Sequence, residues 1–184
     1  MTYEVEQKFE VSDHEAVQGK LSEYGAQWSP ATIQVDRYFA HPAKDFGETD
    51  EALRIRRSGN QYCVTYKGPK VDATTKTRRE IEISLPEGDS GAADFDDLLV
   101  SLGFRLACIV SKERLPGQLH WEDHTIYLAL DTVKSLGSFV ELEVTCDEAS
   151  IEAAKRAIAS LATDLGLTKN QRLSYLELLM QLDT

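Results

Sequence analysis

Charged side chains at alternate positions of the first extended segment constrain the fold of this chain more than any other feature. Residues 4–8 are predicted to form a strand, which directs successive side chains to opposite faces. One face then carries Glu4, Glu6 and Lys8, and the other carries Val5. If the charged face points inward, it lines a wet cavity that holds a metal ion and an anion. If it points outward, it is the solvated face of an edge strand. The segment alone is compatible with both arrangements.

The same alternation recurs in most of the later predicted strands. The charged faces carry Arg54 and Arg56; Arg78, Glu80 and Glu82; Lys112 and Arg114; and Glu141 and Glu143, with Lys67 and Asp131 near the ends of other strands. The opposite faces are apolar and are expected to pack against helices and neighbouring strands. Five charged faces of mixed sign favour an enclosed, water-filled space over a set of solvated surfaces, because charges of both signs can pair there.

The two kinds of charge on these faces suggest a chemistry. Arginine guanidinium groups match phosphate oxygens in a bidentate manner. Carboxylates offer the hard oxygen ligands that Mg²⁺ or Mn²⁺ prefers. Cations for phosphates beside carboxylates for a divalent ion predict phosphoryl or nucleotidyl transfer.

Length and composition limit the number of domains, the kinds of partner and the expected cellular location. The 184 residues are most simply one domain spanning residues 1–184. The net charge of −11 argues against a nucleic-acid-binding protein. No apolar run is long enough to cross a bilayer, so no membrane association is expected. The early charges argue against a secretory signal, and three widely spaced cysteines favour free thiols, so we expect a cytoplasmic protein.

The order of predicted elements indicates an α+β fold built on an antiparallel sheet. Strands are predicted over residues 2–11, 32–41, 52–57, 61–67, 78–85, 105–114, 119–121, 126–131 and 138–145, with a turn at 116–117. Helices are predicted from about residue 15 to Gly25 and over 92–102, 149–165 and 173–182. Strands and crossover helices do not alternate, so a parallel doubly wound sheet is not expected. Short connections favour an antiparallel sheet, which can close into a barrel.

Several blocks of sequence resemble one known family. Residues 4–8 resemble the ExExK signature of the CYTH superfamily, the triphosphate tunnel metalloenzymes. Further blocks similar to that family follow in its order: 36–39 (DRYF), 53–56 (LRIR), 66–69 (YKGP), 78–82 (RREIE), 112–114 (KER), and Asp131 followed by 137–143 (GSFVELE). Each block alone is a weak motif, but together they span most of the chain.

The resemblance implies a closed antiparallel eight-stranded β-barrel, with helices on the outside and Mg²⁺ or Mn²⁺ and a triphosphate within. The implied metal ligands are Glu4, Glu6 and Glu141, assisted by Asp131 and Glu143. The implied triphosphate-binding residues are Lys8, Arg54, Arg56, Lys67, Arg78, Lys112 and Arg114, supported by Glu80 and Glu82. The implied catalytic set is Glu4, Glu6, Lys8, Lys112 and Glu141. The same residues share the charged faces identified above.

The resemblance also suggests a reaction. Residues 41–54 and 172–179 look like the class IV adenylyl cyclase branch, which forms cyclic AMP and pyrophosphate from ATP. The alternative is a triphosphatase acting on thiamine triphosphate or inorganic triphosphate, and a further alternative is a non-catalytic nucleotide- or polyphosphate-binding module. Fold-level likeness does not choose among them. A homodimer is compatible with the family, and residues 70–76 with Lys70 and Lys76 are expected to close over the tunnel mouth.

Overall fold

The computed structural model describes residues 3–69 and 78–182. The strands are β1 (Tyr3–Val11), β2 (Gln27–Trp28), β3 (Thr32–Ala40), β4 (Ala52–Ser58), β5 (Gln61–Lys67), β6 (Arg78–Leu85), β7 (Arg105–Trp121), β8 (His124–Val133) and β9 (Gly137–Cys146). The helices are α1 (Glu15–Glu23), α2 (Asp89–Ser101), α3 (Ile151–Leu165) and α4 (Tyr175–Leu182), with a 3₁₀ turn over Glu148–Ser150. The expected closing segment, residues 70–76, lies outside the described residues.

The strands form one closed antiparallel barrel. Their order is β7-β3-β4-β5-β6-β1-β9-β8, and pairing of β8 with β7 closes the circle. The short strand β2 adds to β7 outside this circle. The register of β1 against β9 places Lys8 opposite Glu141 and Glu6 opposite Glu143. This confirms the predicted eight-stranded antiparallel barrel and the α+β class.

The largest apolar core lies outside the barrel wall, between β1, β8 and β9 on one side and α1 and α3 on the other. Val5 and Leu142 project from the strands, and Leu21 and Ile158 project from the helices; all four are fully buried. Burial of one such side chain stabilises the fold by roughly 1.5–3 kcal/mol. Since strand side chains alternate, this outer core fixes which residues of β1 and β9 must face inward.

The prediction that the sixth long strand stops at Arg114, before a turn at Pro116 and Gly117, is wrong. β7 runs without interruption from residue 105 to 121. Pro116 and Gly117 remain paired with β8, and Gly117 also lies opposite Trp28 of β2. A side-chain carbon on Gly117 would lie only 2.6 Å from the Trp28 ring, so glycine here permits close packing of β2 rather than a turn.

Smaller differences concern the helices and the outer surface. α2 begins at Asp89, three residues before the predicted start, and α4 begins at Tyr175 rather than residue 173. Ile81 and Ile83 of β6 were expected to be packed but are 39% and 55% exposed. The helices cover β1, β8 and β9 and the surface of β3 to β5, with Leu85 at the end of β6, whereas no described helix packs on Ile81 and Ile83. Within the described residues, no helix combines the length and apolar character needed to span a bilayer.

Candidate active site

The barrel encloses a cavity of about 600 Å³ that gathers most of the predicted site residues. The predicted residues that line it are Glu4, Glu6, Lys8, Arg54, Arg56, Lys67, Arg78, Glu80, Glu82, Lys112, Arg114, Glu141 and Glu143. Asp131 lies behind the lining and is fully buried. The charged faces of the strands therefore point into the barrel. Of the two arrangements considered for residues 4–8, the inward one is observed.

One side of the cavity, here called the carboxylate wall, consists of Glu4, Glu6, Glu141 and Glu143 on the paired strands β1 and β9. Burial, followed by repulsion from Glu80, raises the pKa of Glu4 to about 7. Burial, followed by repulsion from Glu4 and Glu6, raises the pKa of Glu143 to about 8. Both carboxyls are therefore partly protonated near neutral pH, because burial and the neighbouring carboxylates disfavour their charged forms.

The carboxylate wall matches a divalent ion in charge and in ligand chemistry. Clustered, partly protonated carboxyls are the groups that Mg²⁺ or Mn²⁺ would deprotonate on binding. Among the described residues, however, no three His, Cys, Asp or Glu side chains are already arranged around a common ion position. The carboxylate wall therefore supplies suitable ligands without a preassembled coordination shell.

The opposite side, here called the cation wall, consists of Arg54, Arg56, Lys112 and Arg114 on β4 and β7. Asp36 of β3, which is 1% exposed, anchors the two β4 arginines. It accepts two hydrogen bonds of 2.6 Å from Arg56 and lies 3.4 Å from Arg54. Burial alone would raise the pKa of Asp36, but Arg54 and Arg56 hold it well below its usual range. Asp36 is therefore ionised and fixes both guanidinium groups.

Asp131 anchors the β7 half of the cation wall in the same way. It accepts hydrogen bonds from Lys112 at 2.8 Å, from Arg114 at 2.7 and 2.6 Å, and from the Tyr175 hydroxyl at 2.9 Å. Arg114 also contacts Glu141, which joins the two walls. Burial and the neighbouring Arg114 lower the pKa of Lys112 to about 8. Asp131 therefore holds Lys112 and Arg114 in position. The role of metal ligand that was predicted for it stays a prediction.

Lys8 is held by the segment that precedes α4. Its ammonium group donates to the Leu173 carbonyl at 2.6 Å and lies 3.8 Å from the ring centroid of Tyr175. At the start of α4, the Ser174 backbone N–H donates to the Glu177 carboxylate, and the Glu177 backbone N–H donates to the Ser174 hydroxyl. This capping box fixes Tyr175 in place. The C-terminal segment thus positions a cation on β1 and the Asp131 carboxylate on β8.

The remaining predicted residues complete the circle between the two walls. Lys67 of β5 forms an ion pair with Glu80 of β6, and Thr65 donates to Glu82 at 3.2 Å. Burial, followed by repulsion from Arg54, lowers the pKa of Lys67. Arg78, near the start of β6, is almost fully buried. These side chains line the cavity between the two walls, and the phosphate-binding and supporting roles expected of them stay predictions.

Sequence reasoning missed two residues of the site, Asp36 and Tyr175. A signal existed for Asp36, because it shares a strand face with Gln34 and Tyr38 and therefore points into the barrel. Tyr175 lies in the block 172–179 that resembles the cyclase branch, but helical periodicity does not reveal that the start of α4 reaches Asp131.

Comparison with known proteins finds relatives that match almost the whole chain. The CYTH domain family model matches residues 2–174. A Methanocaldococcus jannaschii protein, named as a candidate adenylate cyclase, is 33% identical over 178 residues, which cover 95% of this chain and 97% of that protein. The solved PH1819 protein of Pyrococcus horikoshii is 37% identical, with a TM-score of 0.83 over 97% of this chain and 98% of its own.

A more distant solved structure shares the fold. It is a candidate adenylyl cyclase from Hippeastrum, described as having a dominant triphosphatase activity. It is 16% identical, with a TM-score of 0.66 over 98% of this chain and 96% of its own. With a family match over nearly the whole chain and two homologues above 30% identity, this protein belongs to the CYTH domain family.

Proposed function

We propose that this protein is a divalent-metal-dependent enzyme that cleaves a triphosphate inside the barrel. One observation supports this most: a single cavity joins buried cations, already fixed by Asp36 and Asp131, to carboxyls whose pKa values are raised by burial and by repulsion from one another. A metal-bound triphosphate supplies what each wall lacks, namely an anion for one and a cation for the other.

The cation wall binds the phosphate oxygens. The guanidinium groups of Arg54, Arg56 and Arg114 can donate to phosphate oxygens through the N–H groups that Asp36, Asp131 and Glu141 do not occupy. Since Asp36 and Asp131 orient these groups before substrate arrives, little reorganisation accompanies binding or the growth of negative charge during reaction. Lys67 and Arg78 extend the same positive lining towards β5 and β6.

The carboxylate wall holds the metal. Glu4, Glu6, Glu141 and Glu143 would bind Mg²⁺ or Mn²⁺, and the ion would neutralise charge on the triphosphate oxygens. Lys8 and Lys112 stand near the junction of the two walls, where both lie close to the Tyr175 ring. There they can stabilise the charge of the leaving phosphate.

The favoured reaction is that of an adenylyl cyclase. In that reaction the 3′-hydroxyl of ATP attacks the α-phosphorus, and pyrophosphate leaves to give cyclic AMP. The name of the Methanocaldococcus relative supports this choice. The second candidate is triphosphate hydrolysis, in which water attacks the γ-phosphorus. The Hippeastrum protein supports it, because a cyclase-named protein of this fold has a dominant triphosphatase activity.

Product analysis separates the two reactions. The protein would be incubated with ATP, thiamine triphosphate or inorganic triphosphate, each with Mg²⁺ or Mn²⁺. Cyclic AMP with pyrophosphate identifies a cyclase, and orthophosphate without cyclic nucleotide identifies a triphosphatase. If no substrate is converted and chelation of divalent ions leaves triphosphate affinity unchanged, the enzyme proposal is wrong and the barrel is a binding module.

A further inference from the structure

A single aromatic side chain contacts both lysines at the junction of the two walls. Tyr175, the first residue of α4, is 6% exposed and lines the cavity. The ammonium groups of Lys8 and Lys112 lie 3.8 Å and 4.9 Å from the centroid of its ring. Lys8 belongs to β1 and Lys112 to β7, and the strands β9 and β8 lie between these two in the barrel. Strand pairing therefore does not join the two lysines directly, whereas Tyr175 does.

We propose that Tyr175 is a positioning residue for the cleavage of the triphosphate. Its ring holds the Lys8 ammonium, and its hydroxyl fixes Lys112 through Asp131, so that both ammonium groups are presented to the leaving phosphate as a pair. This inference rests on the proposed function and adds to it a residue that acts through the two lysines.

The ring contact holds Lys8 without neutralising it. An ammonium group is attracted to the face of an aromatic ring, and more strongly where water is excluded. Lys8 is 1% exposed, and its ammonium also donates to the Leu173 carbonyl. The Phe139 ring meets the Tyr175 ring at 64° with centroids 5.1 Å apart, which helps to keep the Tyr175 ring in place. Because the ring and the carbonyl carry no net charge, these contacts leave the charge of Lys8 for a phosphate.

The hydroxyl contact fixes the anchor of Lys112. The Tyr175 hydroxyl donates at 2.9 Å to the same Asp131 oxygen that accepts from Lys112 at 2.8 Å. Burial, followed by repulsion from Glu141 and Asp131, raises the pKa of Tyr175 well above its usual value, so the hydroxyl keeps its proton and remains a donor. An additional, uncharged donor on this oxygen restricts the carboxylate, and through it Lys112.

The segment before α4 ties the ring to the strand that carries Lys8. The Gln171 backbone N–H donates to the Lys8 carbonyl at 2.7 Å, and the Glu10 backbone N–H donates to the Lys169 carbonyl at 3.0 Å. The capping box then fixes the start of α4. The ring and Lys8 therefore keep their relative position before any substrate arrives, as a positioning role requires.

Two substitutions separate the contributions of Tyr175. Tyr175→Phe keeps the ring and removes the hydroxyl, whereas Tyr175→Leu removes both and keeps an apolar side chain. Tyr62→Phe is the matched control for the hydroxyl, because Tyr62 also bonds an aspartate, Asp89, but does not line the cavity. Leu178→Ala is the control for the docking of α4, because Leu178 packs in the same apolar cluster as Tyr175 and does not line the cavity.

The first measurement needs neither metal nor substrate. Aromatic rings shift the NMR signals of groups above their faces to lower frequency, so full-length protein labelled with carbon-13 at the lysine ε-carbon reports the contact directly. The Lys8 signal, assigned by its absence from Lys8→Ala, should be shifted in wild type and in Tyr175→Phe. It should move towards the exposed lysines in Tyr175→Leu, which keeps only the more distant Phe139 ring. An unshifted wild-type signal, or one unchanged in Tyr175→Leu, overturns the proposal.

The second measurement is steady-state cleavage, with Mg²⁺ or Mn²⁺, of whichever triphosphate the wild type converts. Tyr175→Leu should lower kcat by at least about tenfold with KM within about threefold of wild type, because a misplaced charge is felt mainly in the transition state. Tyr175→Phe should lower kcat by about threefold, since it loses one hydrogen bond. Tyr62→Phe and Leu178→Ala should match wild type.

A double-mutant cycle separates positioning from a general loosening of the fold. In the Lys8→Ala background the ring has no ammonium to hold, so Tyr175→Leu should cost no more there than Tyr175→Phe costs in wild type. An undiminished loss in that background, or an equal loss in Leu178→Ala, overturns the proposal. So does normal turnover in Tyr175→Leu, although the proposed function would survive all three results. A wild type that cleaves none of the triphosphates refutes the proposed function itself.

Discussion

The two walls of the cavity carry opposite charges and balance them in different ways. On the cation wall, two buried aspartates, Asp36 and Asp131, neutralise and orient the positive side chains. On the carboxylate wall, the crowded carboxyls reduce repulsion by keeping protons, as the raised pKa values of Glu4 and Glu143 indicate. The cation wall thus has fixed counter-charges within the protein, whereas the carboxylate wall, apart from the ion pair of Glu141 with Arg114, relies largely on bound protons.

This difference predicts that the walls contribute differently to stability and function. Removing an anchor of the cation wall leaves buried cations without a partner, which destabilises the fold. Removing a carboxylate relieves repulsion, so the fold is unaffected or stabilised while activity is lost. The predictions below test this contrast in order of decreasing effect.

The largest effect is expected for Asp131→Asn. The substitution leaves Lys112 and Arg114 buried without their carboxylate, which should lower the free energy of unfolding by about 3–5 kcal/mol. Chemical denaturation measures this loss. Glu113→Gln, an exposed change on the outer face of the same strand, should leave stability within about 0.5 kcal/mol of wild type. A loss of stability no greater for Asp131→Asn than for the control would show that the anchor is not needed.

The next effect concerns Glu6→Gln on the carboxylate wall. Weaker metal binding should reduce turnover of the preferred triphosphate by at least about a hundredfold. The melting temperature should stay the same or rise, in contrast to Asp131→Asn. Glu10→Gln lies on the same strand but outside the cavity lining, and it should retain full activity. Near-normal turnover of Glu6→Gln would refute the carboxylate wall as the metal site.

A smaller effect is expected for Arg56→Ala. The variant loses a bidentate phosphate donor, so affinity for non-cleavable inorganic triphosphate should fall by about tenfold. Stability should fall as well, because Asp36 loses its closest partner. Arg57→Ala, the exposed neighbour on the opposite strand face, should change neither calorimetric affinity nor melting temperature. If the two variants bind alike, Arg56 does not contact the phosphates.

Strand alternation in the sequence was enough to predict which charged residues share a strand face, and most of these line the cavity. Arg54 and Arg56, or Lys112 and Arg114, are two positions apart, so once the apolar face of a strand is known, the direction of its charges follows. The closure of eight strands into a barrel rested on family resemblance, because alternation does not determine which strands are neighbours. The strand pairing confirms the closed barrel.

Features that depend on a distant partner could not be predicted. Pro116 and Gly117 have the composition of a turn, yet Trp28 packs closely on Gly117 and the strand continues. The contact of Tyr175 with Asp131 joins residues 44 positions apart, and no local pattern indicates it. Alternation also places Ile83 on an apolar face, but does not reveal that this side chain is 55% exposed.

The smallest expected effect is a difference in how the two walls make stability depend on pH, measured on metal-free protein. Glu4 and Glu143 titrate near 4.5 when unfolded but near 7 and 8 when folded. Between these values the unfolded chain has released protons that the folded chain keeps, so stability falls as pH rises from about 5 to 8. Asp36 and Asp131 behave in the opposite way, since their folded pKa values lie below 3.8. Their contribution is complete above that pH and is lost in stronger acid.

Melting temperature in the presence of a chelator should therefore be highest near pH 5 and drop by about 3 °C or more by pH 8, at roughly 2–4 °C per kcal/mol for a chain of this size. Glu143→Gln removes one of the two raised groups and should flatten the alkaline side of the profile only. Mn²⁺ should reverse the drop, because a metal binds the deprotonated carboxylates, and its stabilising effect should grow with pH. An alkaline slope that persists unchanged in Glu143→Gln would place its origin outside the carboxylate wall.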